Sequence, residues 1–168
     1  MDNYIMLNGK KIPLTDEQVK LLQCNDQKKS PFDRTEYGDM YYFVSSSGFE
    51  VRESCENRFD IDQSRFECAN YCADENIMKQ HALHMMLNNL LWRYSMTHGG
   101  DKIDWYSDST KVFIYYNANT DSFRTSECYF VKYFGAVPFV NSKTADTAID
   151  EVVNPFIEEH PEFDITKM

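Results

Sequence analysis

A chain of 168 residues is long enough for one packed domain or two very small ones, and a hydrophobic content of 42% excludes wholesale disorder. The formal net charge of −10 disfavours direct binding to DNA, RNA or a membrane surface. No apolar run approaches the ~20 residues of a membrane span, and five cysteines without a disulfide-framework spacing fit a reducing compartment.

The first residues lack a signal-peptide pattern, so a cytoplasmic location is expected. Tyr4–Leu14 reads as a hairpin, with Asn8-Gly9 as its two-residue turn. Thr15 and Gln18 have the spacing of a capping box ahead of a short helix from about Asp16 to Cys24. Asn25–Tyr37 is polar, contains Pro31 and reads as a linker. Met40–Val44 is the first strand of a second hairpin, Ser45–Gly48 its turn and Phe49–Arg52 the return strand. Glu53–Glu67 is charged and irregular, and reads as a surface loop. Asp74 is placed to cap a long helix from about Glu75 to His98. Its apolar stripe is Leu83, Leu87, Leu90, Leu91 and Tyr94. Gly99-Gly100 suits its end, and His98 the negative pole of its dipole.

The second half repeats the plan. Lys111–Tyr116 is a strand, Asn117–Asp121 a turn, Ser122–Phe134 one or two further strands, and Ala136–Val140 follows the turn at Gly135. Asn141 or Ser142 caps a helix to about Val153, and Asn154-Pro155 restarts a short one, since proline suits the first helical position. Cys72–Glu75 and Phe139–Ser142 stand at equivalent points, each just before a helix. The expected fold is α+β: antiparallel sheet units in a ββα pseudo-repeat, packed on one long central helix, with an acidic C-terminal helix. Residues 1–30 would form the hairpin and short helix. Residues 31–168 would form a single domain of two ββ(β)α units, about 39–100 and 111–164.

Charge is unevenly placed. Residues 1–38 are neutral, residues 39–110 carry −6 and residues 111–168 carry −4. Between Lys143 and Lys167 stand seven carboxylates and no Lys or Arg: Asp146, Asp150, Glu151, Glu158, Glu159, Glu162 and Asp164. A second cluster includes Glu53, Glu56, Asp60, Asp62, Glu67, Asp74 and Glu75, offset by Arg58 and Arg65. Charge of this size can serve solubility alone. Asp74 and Glu75 also suit a helix N-terminus, whereas the C-terminal acids oppose the dipole of the helix they follow. A helix carrying them presents a surface that attracts proteins built to hold nucleic acid. The candidate partner-binding residues are therefore the seven C-terminal acids with Asp60, Asp62 and Glu67.

Other constellations carry less. Cys68, Cys72, His81 and His84 have the residue types of a zinc set. A helix starting at Glu75 separates the two pairs by about 10–15 Å along its axis, too far for metal bonds of ~2 Å. Nothing local marks any cysteine as an activated nucleophile. Asp60-x-Asp62 and Asp104 with Asp108 lack the glycine and terminal glutamate of a calcium loop. No glycine motif cradles phosphate. No enzyme activity and no cofactor are expected, and a Cys/His metal protein or enzyme is the least favoured alternative.

Several stretches resemble small acidic proteins of phages and other mobile elements of Gram-positive bacteria. They are Asn8-Gly9-Lys10, Leu14-Thr-Asp-Glu-Gln18, Tyr41-Tyr-Phe-Val44, and Ala69-Asn-Tyr-Cys-Ala-Asp74 leading to Leu87-Asn-Asn-Leu-Leu-Trp-Arg-Tyr94 and His98-Gly-Gly100. Lys111-Val-Phe-Ile-Tyr-Tyr116 and Asn154-Pro-Phe156 with His160-Pro161 complete the set. The resemblance implies a mobile-element protein in the host bacterial cytosol. That setting includes anti-CRISPR proteins, and the resemblance carries over no functional residue. The function expected from it is inhibition of a host CRISPR effector, Cas9 or its guide-RNA complex, through the acidic surface. The alternative is a generic interaction protein that counters another host defence or regulates transfer. An apolar patch on the aromatic strands would permit a homodimer.

Overall fold

The computed structural model describes residues 4–7, 9–23 and 29–167. Strand β1 (Tyr4–Leu7) pairs antiparallel with β2 (Lys10–Pro13), with Leu7 opposite Lys10. Gly9 turns the chain at φ +78°, a conformation open to glycine at little cost. Asn8, the other half of the expected turn, lies outside the described residues, as do Cys24 and residues 25–28. Helix α1 (Asp16–Gln23) starts with the expected capping box: Thr15 N–H donates to Gln18 Oε1 at 3.0 Å, and Gln18 N–H to Thr15 Oγ1 at 3.2 Å.

The next hairpin joins β3 (Met40–Val44) to β4 (Val51–Cys55), with Met40 opposite Cys55 and Val44 opposite Val51. Its turn runs past Gly48 to Phe49, which holds φ +59°. The return strand therefore begins two residues later than expected and reaches Cys55, because every residue from Val51 to Cys55 finds a partner on β3. Glu53–Glu67 is not a surface loop. It contains the end of β4 and then helix α2 (Asp60–Glu67). Asp62, in the first turn of that helix, reaches back to its start, its carboxylate accepting from the backbone N–H groups of Asn57 and Phe59, both at 3.1 Å.

Helix α3 (Glu75–Thr97) is the longest element. Asp74 Oδ1 accepts from the N–H of Asn76 at 2.8 Å and of Ile77 at 3.1 Å, a cap that contributes about 1 kcal/mol. At the other end Gly99 holds φ +93°, and the His98 ring lies on Tyr94 with Nδ1 2.8 Å from the Tyr94 carbonyl. The helix meets three neighbours along its length. Met78 and Ala82 pack on Val44 and Cys72 under the β3–β4 hairpin. Leu83, Leu87 and Leu90 pack on the C-terminal helical segment, and Leu91 and Tyr94 on a three-stranded sheet.

That sheet has the order β6-β5-β7, from β5 (Lys111–Asn117), β6 (Ser122–Cys128) and β7 (Pro138–Phe139), all antiparallel. The expected strand through Phe134 stops at Cys128. Cys128 faces Lys111, the first residue of β5, so residues beyond it have no ladder to join. β7 is shorter than Ala136–Val140, and Pro138 sits on an edge strand, where its missing N–H is tolerated. The buried Ser95 hydroxyl of α3 donates to the Pro138 carbonyl and fixes this edge on the helix.

The two units share one local device. Cys72 exchanges both backbone hydrogen bonds with Tyr42 on β3, at 2.7 and 3.0 Å, and Asp74 caps a helix two residues on. Phe139 pairs with Val112 on β5, and Asn141 caps a helix two residues on, accepting from Thr144 N–H at 2.8 Å. Both paired residues are buried. A single bridged residue in the first unit and the two-residue β7 in the second aim the chain into a capped helix.

The C-terminal helix does not stop and restart. Helix α4 (Ser142–Ala148), a π-helical turn (Ile149–Val153) and α5 (Asn154–Glu159) follow without a break, with Ile149 and Asn154 both at φ −62°, ψ −47°. Pro155 has no N–H to give, and its ring would press on a carbonyl of the preceding turn. A widened turn relieves that clash. The buried stripe of this rod is Ala145, Ala148, Val153 and Phe156.

Candidate functional site

The seven C-terminal acids divide among different neighbours, because the rod lies between β6 and α3. Asp146 is exposed on the β6 side and accepts from the Thr125 hydroxyl at 3.1 Å. Glu151 is exposed on the α3 side and accepts from Tyr94 OH at 3.1 Å. Glu151 and Glu159 line a shallow groove with Arg93, Tyr94 and Pro155. Asp150, four residues after Asp146, is exposed and, among the described residues, accepts only from Asn154 Nδ2 at 3.5 Å. Glu158 and Glu159 are exposed, and among the described residues neither forms an ion pair.

Glu162 and Asp164 lie beyond the rod, where the chain returns to the first half of α3. Gln80 Nε2 donates to the Glu162 carbonyl at 2.8 Å, and Asp164 N–H donates to Gln80 Oε1 at 2.8 Å. The Glu162 carboxylate stands 3.6 Å from His160 Nδ1. Asp164 accepts from the Thr166 hydroxyl and backbone N–H and pairs with Lys167 at 3.1 Å, which together pull its carboxyl down to about 2. Its charge serves the turn that ends the chain. The free acidic surface is therefore narrower than the run of seven suggests, and centres on Asp150, Glu158 and Glu159.

Of the second cluster, Asp60 and Glu67 are exposed on α2, Glu67 accepting from Gln63 at 2.6 Å. Asp62 is withdrawn from any partner surface: it is 2% exposed and accepts from Tyr41 OH at 2.6 Å. Burial pushes the Asp62 carboxyl up, but the Tyr41 hydroxyl and the two backbone N–H groups outweigh it and hold it below the usual range. Glu56 is also fully buried. Arg34 grips it with Nε at 2.9 Å and Nη2 at 3.0 Å, Arg58 N–H donates at 2.8 Å and Tyr71 OH at 3.0 Å. The Arg34 pairing holds the Glu56 carboxyl low against the opposing effect of burial. Tyr41 and Tyr71 stack at 4.0 Å, so the two carboxylates form one buried polar cluster. That cluster ties residues 34 and 35 to the fold, so the C-terminal part of the expected linker is anchored.

The cysteines and histidines do not converge. The Cys68 thiol faces the Arg65 carbonyl, and Cys72 is buried beside the Asp74 amide, where burial pushes its thiol up. His84 packs edge-on to Phe163 at 4.7 Å, and among the described residues its Nε2 has no partner. Among the described residues, no three His, Cys, Asp or Glu side chains meet where a metal ion could sit.

The apolar patch expected on the aromatic strands lies instead just beyond one of them. Residues 129–135 leave β6 as an irregular segment, exposed along its length, carrying Tyr129, Phe130, Val131, Lys132, Tyr133 and Phe134. Its aromatic run was visible, but resembled a strand, and a strand would have buried one face. No family model matches the chain, and no curated protein or solved structure does so either.

Proposed function

We propose that this chain is a protein-binding inhibitor of a nucleic-acid-handling enzyme, and specifically a phage-borne inhibitor of a host Cas9-type CRISPR effector. The observation that carries the reading is the set of exposed carboxylates at Asp150, Glu158 and Glu159, on a rigid helical rod and without paired cations among the described residues. A CRISPR nuclease holds its guide–target duplex in a positive channel and reads the adjacent motif with Arg side chains. A fixed row of carboxylates placed there releases the same counterions that phosphates release. Asp146 and Glu151, on the two flanks of the rod, widen the field, while Asp62 takes no part. The partner is a host protein, and direct DNA binding is disfavoured by the charge.

The test is an order-of-addition gel shift with Cas9–guide complex and target DNA, at low and high salt. Blocked DNA binding when the protein is added first, weakening as salt rises, is the expected result. The triple variant Asp150→Asn, Glu158→Gln, Glu159→Gln should lose most of that inhibition and flatten its salt dependence while keeping its melting temperature. Inhibition unchanged in the triple variant would remove the acidic rod from the mechanism. No effect on any Cas9 tested would transfer the acidic surface to another partner.

A further inference from the structure

We infer that the exposed aromatic segment 129–135 is a homodimer interface whose occupant is a second copy of this chain. Phe134 is fully exposed at 107%, with Tyr129, Phe130 and Tyr133 each more than half exposed. At roughly 150–250 Å² per aromatic side chain, these four rings expose about 550 Å². Apolar patches beyond a few hundred Å² mark interaction sites on soluble proteins. Two such patches face to face would hide about 1,100 Å², above the roughly 1,000 Å² that a biological interface needs.

Charge selects the occupant. Between Glu127 and Asp146 there is no acid, and Lys132 and Lys143 give the stretch +2 in a chain whose total is −10. A protein this acidic repels its own copies, and this stretch adds no acid to that repulsion. The rings are also held outward. Phe130 sits at φ +55°, a conformation that a bulky residue adopts at a cost, and Lys111 Nζ lies 5.7 Å from its ring. Tyr133 is anchored edge-on to the buried Phe113 at 5.1 Å. A patch that meets its own copy closes on a two-fold axis and does not propagate into fibres. The proposal is independent of the CRISPR reading.

Sedimentation equilibrium of the full chain across a concentration series tests it. The expected mass is twice the 19.8 kDa of one chain at high concentration, falling to one chain on dilution. The double variant Phe130→Ser, Phe134→Glu should stay at one chain throughout, with unchanged circular dichroism. A wild-type monomer at every concentration would overturn the proposal, as would a double variant that still dimerises. Vesicles of phosphatidylcholine serve as the control for a lipid occupant: a protein that floats with them yet remains monomeric in solution would also overturn it.

Discussion

Replacing Arg34 with methionine should destabilise the protein by about 3 kcal/mol at neutral pH. The Glu56 carboxylate is fully buried, and Arg34 grips both its oxygens, at 2.9 and 3.0 Å. Breaking a buried ion pair by removing one partner typically costs about 3–5 kcal/mol, because the other charge loses its counter-ion. Two donors would survive here, the Arg58 N–H and Tyr71 OH, together with the Arg58 guanidinium 4.0 Å away, so the lower end of that range applies. For a chain of this size the melting temperature would fall by about 6–12 °C. Urea unfolding followed by circular dichroism reads the loss directly. The double variant Arg34→Met, Glu56→Leu should recover most of it, since exchanging a buried pair for packed apolar groups is often neutral. Tyr71 would keep its 2.6 Å contact with Thr35. The pH dependence follows from the lowered Glu56 carboxyl. Its stabilising pairing is complete above the ordinary carboxylate range and is lost as pH falls through the lowered folded-state value. The gap between wild type and Arg34→Met should therefore close in acid. A single variant within about 1 kcal/mol of wild type at pH 7, or a double variant less stable than the single, would refute the reasoning.

Burial pushes the His84 imidazole down, against the opposing pull of Asp164, with His81 adding to the downward push. The unfolded chain then takes up a proton that the folded chain resists, so stability should fall as pH drops below the ordinary histidine value of about 6.5. His84→Gln should flatten that part of a melting-temperature profile, with His81 and Asp164 left in place beside it. Ala148 is fully buried where α4 meets α3 and β5. Ala148→Leu should cost about 1–3 kcal/mol by overpacking, read as a lower urea midpoint. Asn141→Ala removes the α4 cap and should cost about 1 kcal/mol in the same assay.

The features legible in the sequence are those decided by near neighbours. Thr15 with Gln18, Asp74 and Asn141 announce helix starts because a cap acts within three residues of itself. The long helix α3 was readable from its apolar spacing, since a helix face is periodic whatever lies against it. Charge was legible too, because the absence of Lys and Arg between Lys143 and Lys167 is a fact of order alone. The tertiary structure decided which of those charges are free. Asp62 looks like its exposed neighbours in sequence, yet Tyr41, 21 residues away, takes it into the core. Glu56 becomes a buried anion only because Arg34, 22 residues before it, and Tyr71, 15 after it, fold around it. The same holds for the aromatic segment after β6. Tyr129 to Phe134 has the composition of a strand, but a strand requires a partner, and β5 has already begun at Lys111. Hydrogen-bond ladders and ion pairs join residues distant in the chain, so their presence or absence appears only once the fold brings the two sides together.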